Sequence, residues 1–316
     1  MIRALFLRCA RFMRLCGCVV KDLHAESSRF LRILLPNGGN LVATSQAYFD
    51  ESYEDRKPRI LCVAGYVFRK SRAIQFGQEW SRYLRSKGLP YFHANECAHG
   101  VGVFEGRADT HEVARKLIAL TKAKSEFGVA IAVDQDVYAE VFDAPRFMPT
   151  PYAFAITNCC YQIAHYRSER AILAKTEFNF EQGHRHAGDA HTYLRFLLRS
   201  DEFGSRVGYR SHSFVPKETP HVQPADLLAW LWRLHSARKS VGDQRPERRD
   251  LIALRRPQDN FTFFGRAQLE SFKANIRAEG DSADEFLREI GRQVGMSEEL
   301  VEEFVVYRPD YRTTNF

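Results

Sequence analysis

Four carboxylates stand at the ends of strand-like or apolar runs in this sequence, and their chemistry depends on whether folding brings them together. Asp50 follows the run Val42 to Phe49, with Glu51 directly after it. Glu181 closes the run from Ala174, and Asp226 lies just past Pro224, at the start of a long apolar stretch. Three carboxylates a few ångström apart repel one another, so that one is protonated or a cation lies between them. An all-oxygen ligand set selects magnesium or manganese over zinc. Two such ions about 4 Å apart can activate a water and stabilise a leaving oxygen in phosphodiester cleavage.

Other side chains could take part. Glu51 adjoins Asp50, so on a regular strand the two point to opposite faces; it reads equally as a ligand or as a structural hydrogen-bond acceptor. Glu96 is the other candidate for a fourth ligand. His93 could act as a general acid or base or hold a phosphate, and a satisfied loop histidine is an equal reading. Gln223 could orient a carboxylate or touch substrate. His184, His186 and His191 lie beside Glu181, but their spacing is not that of a helical zinc pair and no cysteine lies close in sequence. The group His93, Cys97 and His99 is weaker still. Arg245, Arg248 and Arg249, in the arginine-rich stretch from Arg238 to Arg256, are candidates for phosphate contacts.

The elements that must position these groups can be read from periodicity. Val42 to Phe49 and Arg59 to Phe68 read as strands joined by a polar hairpin loop. Ser71 to Lys87 reads as an amphipathic helix carrying Ile74, Trp80, Tyr83 and Leu84, stopped by Gly88 and Pro90. Tyr91 to Glu96 reads as a short extended piece. Asp109 to Lys124 is a second helix, and Phe127 to Val133 a buried strand stopping at Asp134. A buried helix from Pro151, a strand from Ala174 to Glu181, a helix from Ala190 to Arg199 and a strand from Val207 to Val215 follow. The next helix opens at Val222, with Pro224 in its first turn. Near the end, Ser282 with Glu285 has capping-box spacing, and Ser297 precedes two glutamates, predicting two capped helices.

With the two inserted helices set aside, the order is three strands and then alternating helix and strand. That predicts an α/β fold, a mixed sheet with helices on its faces, in the order of an RNase H-like domain. The blocks Tyr48-Phe49-Asp50-Glu51-Ser52, Phe92-His93-Ala94-Asn95-Glu96, Phe180-Glu181 and Val222-Gln223-Pro224-Ala225-Asp226-Leu227-Leu228 resemble the signature blocks of the domain of unknown function 3800 family. The resemblance runs from about Ala43 to His235. It implies an RNase H-like, metal-dependent nuclease, sometimes linked to defence against phage or mobile elements, with Asp50, Glu181 and Asp226 holding the metal. The chain has Tyr53 where the family pattern has glycine. The helix from Pro151 to Tyr166 carries no acid where an RNase H-like enzyme places its glutamate, which makes Glu51 or Glu96 the candidate replacement.

Composition narrows the partners. The chain has 316 residues, 27% of them charged, and a net charge of +7, which favours an anionic partner, nucleic acid first (DNA or RNA). Seven cysteines, an odd number without paired Cys-x-x-Cys units, argue against a disulfide scaffold and for a reducing cytoplasm. No run has the length of a membrane helix, so stable membrane insertion is not expected. Residues 1–40 read as an extension, disordered or forming a basic amphipathic helix, residues 41–240 as the RNase H-like domain, and residues 241–316 as a basic loop with a helical C-terminal appendage that could hold a protein partner. Two rivals to the nuclease follow: a nucleic-acid-binding protein without catalysis, and a structural subunit of a defence complex.

Overall fold

A computed structural model describes residues 44–142, 150–172, 174–183, 191, 194, 208–275, 288, 297–299 and 301–302. Six strands, β1 (Thr44–Tyr53), β2 (Ile60–Arg69), β3 (Phe127–Asp134), β4 (Lys175–Glu181), β5 (Tyr209–Val215) and β6 (Asn260–Phe264), form one mixed sheet in the order β5-β4-β1-β2-β3-β6. The first three make an antiparallel meander, while β4 and β5 run parallel to β1 on one side and β6 runs parallel to β3 on the other. The described helices are α1 (Lys70–Ser86), α2 (Ala94–His99), α3 (Thr110–Lys124), α4 (Gln135–Val141), α5 (Pro151–Glu169), α6 (Gln223–Ser240), α7 (Arg249–Leu254) and α8 (Arg266–Asn275).

Strand alternation sorts the core into two faces. Ala47 and Phe49 of β1, Val63 of β2 and Ile131 of β3 pack with α5 residues such as Phe154, Cys159 and Ile163. Tyr48, Cys62, Ala64 and Ala132, their chain neighbours, pack on the other face with Phe76 and Trp80 of α1, Leu117 of α3 and Leu228 of α6. Strands β2 and β3 are therefore covered on both sides, which is why their sequences are continuous apolar runs. Helix α5 starts where expected, with Pro151 in its first turn and the Thr150 side chain accepting from Ala153 N at 3.2 Å.

Several expectations need correction. Strand β1 does not stop at Phe49: Asp50 and Glu51 lie inside it, aligned with Ala64 and Val63 of β2. Ile74 is 55% exposed, and the buried stripe of α1 is Ala73, Phe76, Trp80 and Leu84, because Phe76 and Trp80 set which face turns inward. Ala94 to Glu96 are helical, closed by Gly100 in the left-handed conformation. Asp134 caps the short helix α4, its carboxylate accepting from Val137 N at 3.2 Å. The stretch after residue 240 is not only loop and helix. Asn260-Phe261-Thr262-Phe263-Phe264 joins the sheet beside β3, aligned from Val129 to Val133, because its aromatic residues find the edge that β3 leaves open. The expected extension at residues 1–40, His184, His186 and the capping pair Ser282 and Glu285 lie outside the described residues, as does nearly all of the expected helix from Ala190. Among the described residues no helix is long and apolar enough to cross a membrane.

Gly65 shows how tightly the central strands meet. It lies opposite Phe49 on β2, and a Cβ there would run into the carbonyl oxygen of Tyr48 and the Phe49 ring. Gly65→Ala should lower stability by about 1–3 kcal/mol, the usual cost of overpacking a filled core. The check is urea unfolding: the midpoint should fall with the slope unchanged.

Candidate metal centre

The parallel β1–β4 ladder ends at Phe49 and Phe180. The next residues, Asp50 and Glu181, therefore emerge side by side. Tyr48 and Asp50 share a face, and Tyr48 packs on the α6 side; Phe180 packs on the α5 side, so Glu181 also turns towards α6. Helix α6 brings Asp226 in its first turn. Asp50 and Glu181 share a side-chain hydrogen bond. Asp50, Glu51 and Glu181 each offer an oxygen, and these atoms lie within 4.8 Å of one another. Glu51 starts on the opposite face, as alternation requires, but with the β4 ladder ended its longer side chain reaches the same point. Asp226 adds its charge to the field on both Asp50 and Glu51.

The electrostatics are those of excess negative charge out of water. Burial, then the Glu181 hydrogen bond and the neighbouring carboxylates, holds the Asp50 carboxyl well above its ordinary range. Burial and the charge of Glu181 push Glu51 up to about 8. Burial raises Asp226 to about 6, opposed by the charge of His93 and by Ala94 N, which donates to its Oδ2 at 2.7 Å. The Oε2 atom of Glu51 is buried with no hydrogen-bond partner. A buried acceptor left alone costs about 1–3 kcal/mol. A hard divalent cation fits this group of oxygens: it supplies the missing partner of Glu51 and neutralises the repulsion.

The other candidates fall around this centre. His93 caps α2, 46% exposed at the side chain, with Nε2 3.9 Å from Asp226 Oδ1 and Nδ1 3.3 Å from Glu96 Oε1. Glu96, like Asp226, lies outside the three residues whose oxygens come within 4.8 Å of one another, although the Asp226 charge acts on two of them. The Glu96 oxygens accept from Tyr91 OH at 3.2 and 3.3 Å and from Val103 N at 3.2 Å, and its Oε1 lies 3.3 Å from His93 Nδ1. Gln223 is 3% exposed and turned inward. Its Oε1 accepts from Trp80 Nε1 at 2.8 Å and Phe92 N at 2.9 Å, and its Nε2 donates to Glu218 O at 3.0 Å. It thus locks the loop that carries His93 to the start of α6, and the expected substrate contact is replaced by a structural one. The group of His93, Cys97 and His99, the weakest of the sequence candidates, does not form: Cys97 Sγ donates to Thr110 O, and His99 bonds to Asn95 O within its own helix. His191 meets His212 at 2.9 Å. Of the arginines, Arg245 pairs with Asp243, Arg248 pairs with Asp250 and stacks over Trp230, and Arg249 is exposed at the start of α7.

Two positioning contacts were not legible in advance. Arg233, about two turns beyond Asp226, is buried, donates to Ser52 Oγ at 2.9 Å and lies 3.8 Å from Glu54. It ties the end of β1 to α6. The hydroxyl of Ser52, adjacent to the acids, was the visible half of this contact. Tyr152 of α5 is buried near the cluster and feels the charge of Glu51, Asp50 and Glu181.

No family model matches the chain, and neither does any curated protein.

Two outcomes follow. A carboxyl whose folded pKa lies above its unfolded one contributes stability at low pH that is lost as the pH rises through the folded value. For Glu51 that window runs from the ordinary 4.5 to about 8. In EDTA, Glu51→Gln should therefore be more stable than wild type at pH 8, by about 1–3 kcal/mol, with the gap closing towards pH 4.5; thermal melts across this range measure it, and a gap that does not change with pH contradicts the cluster. Gln223→Leu strands Trp80 Nε1 and Phe92 N and should cost about 1–3 kcal/mol in urea unfolding, whereas a pure substrate contact would leave stability unchanged.

Proposed function

We propose that this chain is a magnesium- or manganese-dependent phosphodiesterase that cleaves nucleic acid, on an RNase H-like scaffold. The convergence of Asp50, Glu51 and Glu181 at the shared end of β1 and β4, with Asp226 brought in by α6, carries the reading. The sheet order agrees with it: an antiparallel meander followed by strands parallel to β1, with the acids at the end of the central pair. The resemblance of the Asp50, His93, Glu181 and Asp226 blocks to the domain of unknown function 3800 family points the same way. The net charge of +7 favours a polyanionic substrate, and the absence of a long apolar helix among the described residues fits a protein working in the cytoplasm.

In this reading Asp50, Glu181 and Asp226 hold the metal, and Glu51 takes the place of the acid that α5 lacks. A divalent ion held by these residues would supply charge stabilisation at the phosphoryl oxygens and would lower the pKa of an attacking water. Glu96 favours the proton on Nδ1 of His93, which leaves Nε2 beside Asp226 to hold or pass a proton at a phosphate oxygen. The hydrogen bonds of Gln223 fix the His93 loop against α6, and Arg233 fixes β1 against it, so the residues keep their spacing while the ion is exchanged.

The test is cleavage of DNA and RNA, single- and double-stranded, with magnesium, manganese or EDTA. Wild type should give metal-dependent products. Asp50→Asn and Asp226→Asn should each lose on the order of 10²-fold or more, beyond what loss of an outer partner causes, and His93→Ala on the order of 10²-fold. Cleavage retained by a combined Asp50→Asn, Asp226→Asn variant would sink the reading. Binding of nucleic acid by wild type without products in any metal would leave a non-catalytic binding protein.

A further inference from the structure

At the far end of α6 lies a cavity of about 740 Å³, between the helix, the loop after it and the start of β6. It is about 18 Å along the helix from Asp226, from the twelve-residue separation of Arg238. Its size is that of a small-ligand pocket. Arg238, Lys239, Arg245 and Arg255 line it, with His235 at its base. Three carboxylates line it too, and each is engaged by an arginine: Asp243 by Arg245, Glu247 by Arg255, Asp259 by Arg256. Arg238 and Lys239 form no ion pair among the described residues. Arg238 spends Nη1 on Pro246 O at 3.3 Å, and its Nη2 is buried without a partner. The Nδ1 atom of His235, a residue 9% exposed, is likewise buried without a partner.

The wall is rigid. Arg255 stacks over Trp232 at 5.6 Å and Phe261 at 5.1 Å while Glu247 holds its guanidinium, and Trp232 donates to Thr262 O at 3.0 Å. The aromatic faces are thereby covered, so stacking of a base on them is not what the pocket offers. What it offers is buried polar hydrogen-bonding capacity and a surplus of positive charge, since four cationic side chains face three carboxylates and one of those is held by Arg256 outside the lining. The C-terminal end of a helix dipole disfavours an anion; two cationic side chains in the last turn outweigh that effect here, since charge-assisted hydrogen bonds are the stronger interaction.

We propose that this cavity binds a phosphate group, with Arg238 as its anchor and Lys239 at its mouth, at a site separate from the carboxylate centre. The phosphate comes either from a free phosphate or nucleoside monophosphate, or from the backbone of a nucleic acid. Calorimetric titration in EDTA at low salt tests it, with inorganic phosphate, adenosine monophosphate and a short single-stranded oligonucleotide as probes. Wild type should bind at least one. Arg238→Met should weaken that binding at least about tenfold, and the exposed Lys239→Met, which keeps the stem, should weaken it less; a melting temperature for each variant separates lost binding from lost folding. Equal binding of all three probes assigns a free phosphate ligand, and binding of the oligonucleotide alone assigns backbone contact. Failure of every probe, or binding that Arg238→Met and Lys239→Met leave intact, overturns the proposal without touching the nuclease reading, which the metal-dependent cleavage assay decides alone.

Discussion

Mutual repulsion among buried carboxylates is the constraint on which this structure turns. Asp50, Glu51 and Glu181 meet at one end of the two central strands, with the Asp226 charge beside them. Apolar packing beneath them has to hold that repulsion in place. It does so through Phe49, Phe178 and Phe180, whose rings stack across the β1–β4 pair, and through the fully covered strands β2 and β3. A core that rigid lets a local arrangement persist that would separate in a looser one. Protonation or a cation then decides which form the site takes.

Helix α6 is the element that couples the parts. Its first turn supplies Asp226 and Gln223, its middle supplies Arg233 to the end of β1, and its last turns supply His235 and Arg238 to the second cavity. Nearly every side chain in its first four turns is buried, although its sequence mixes tryptophan, arginine, histidine and glutamine. Each polar group named at Gln223, Asp226 and Arg233 has a partner from another element, which is how a helix buried all round stays affordable. The one end where polar atoms are left without partners, at His235 and Arg238, is the end that opens into a cavity.

The meander β1 to β3, the buried α5 and the start of α6 were legible in the sequence because each carries a strong local signal: continuous apolar runs or a proline in a first turn. That Asp50 and Glu181 would lie side by side was legible because their strands could be read as neighbours; that Glu51 would join them was not, since alternation alone puts it on the other face. Nor were the contacts of Glu96 and Gln223. Both are polar residues in motif-like blocks, and only the folded chain shows their partners, Tyr91 and Val103 for one, Trp80 and Phe92 for the other. Strand β6 was hidden because its polar–aromatic alternation runs for only four residues, directly after an arginine-rich stretch, and it is the open edge of β3 that makes them a strand.

By itself, then, the sequence determined the class of the fold and the kinds of groups that could meet, since hydrophobic period and residue type are local properties that survive without knowledge of neighbours. Tertiary structure alone decided which oxygens come within 4.8 Å, that Glu51 reaches them from the opposite face, and which polar atoms are left without partners. The reason is physical: distance, burial and electrostatic coupling arise between elements far apart in the chain, as where Ala94 N meets Asp226 and Ser52 meets Arg233.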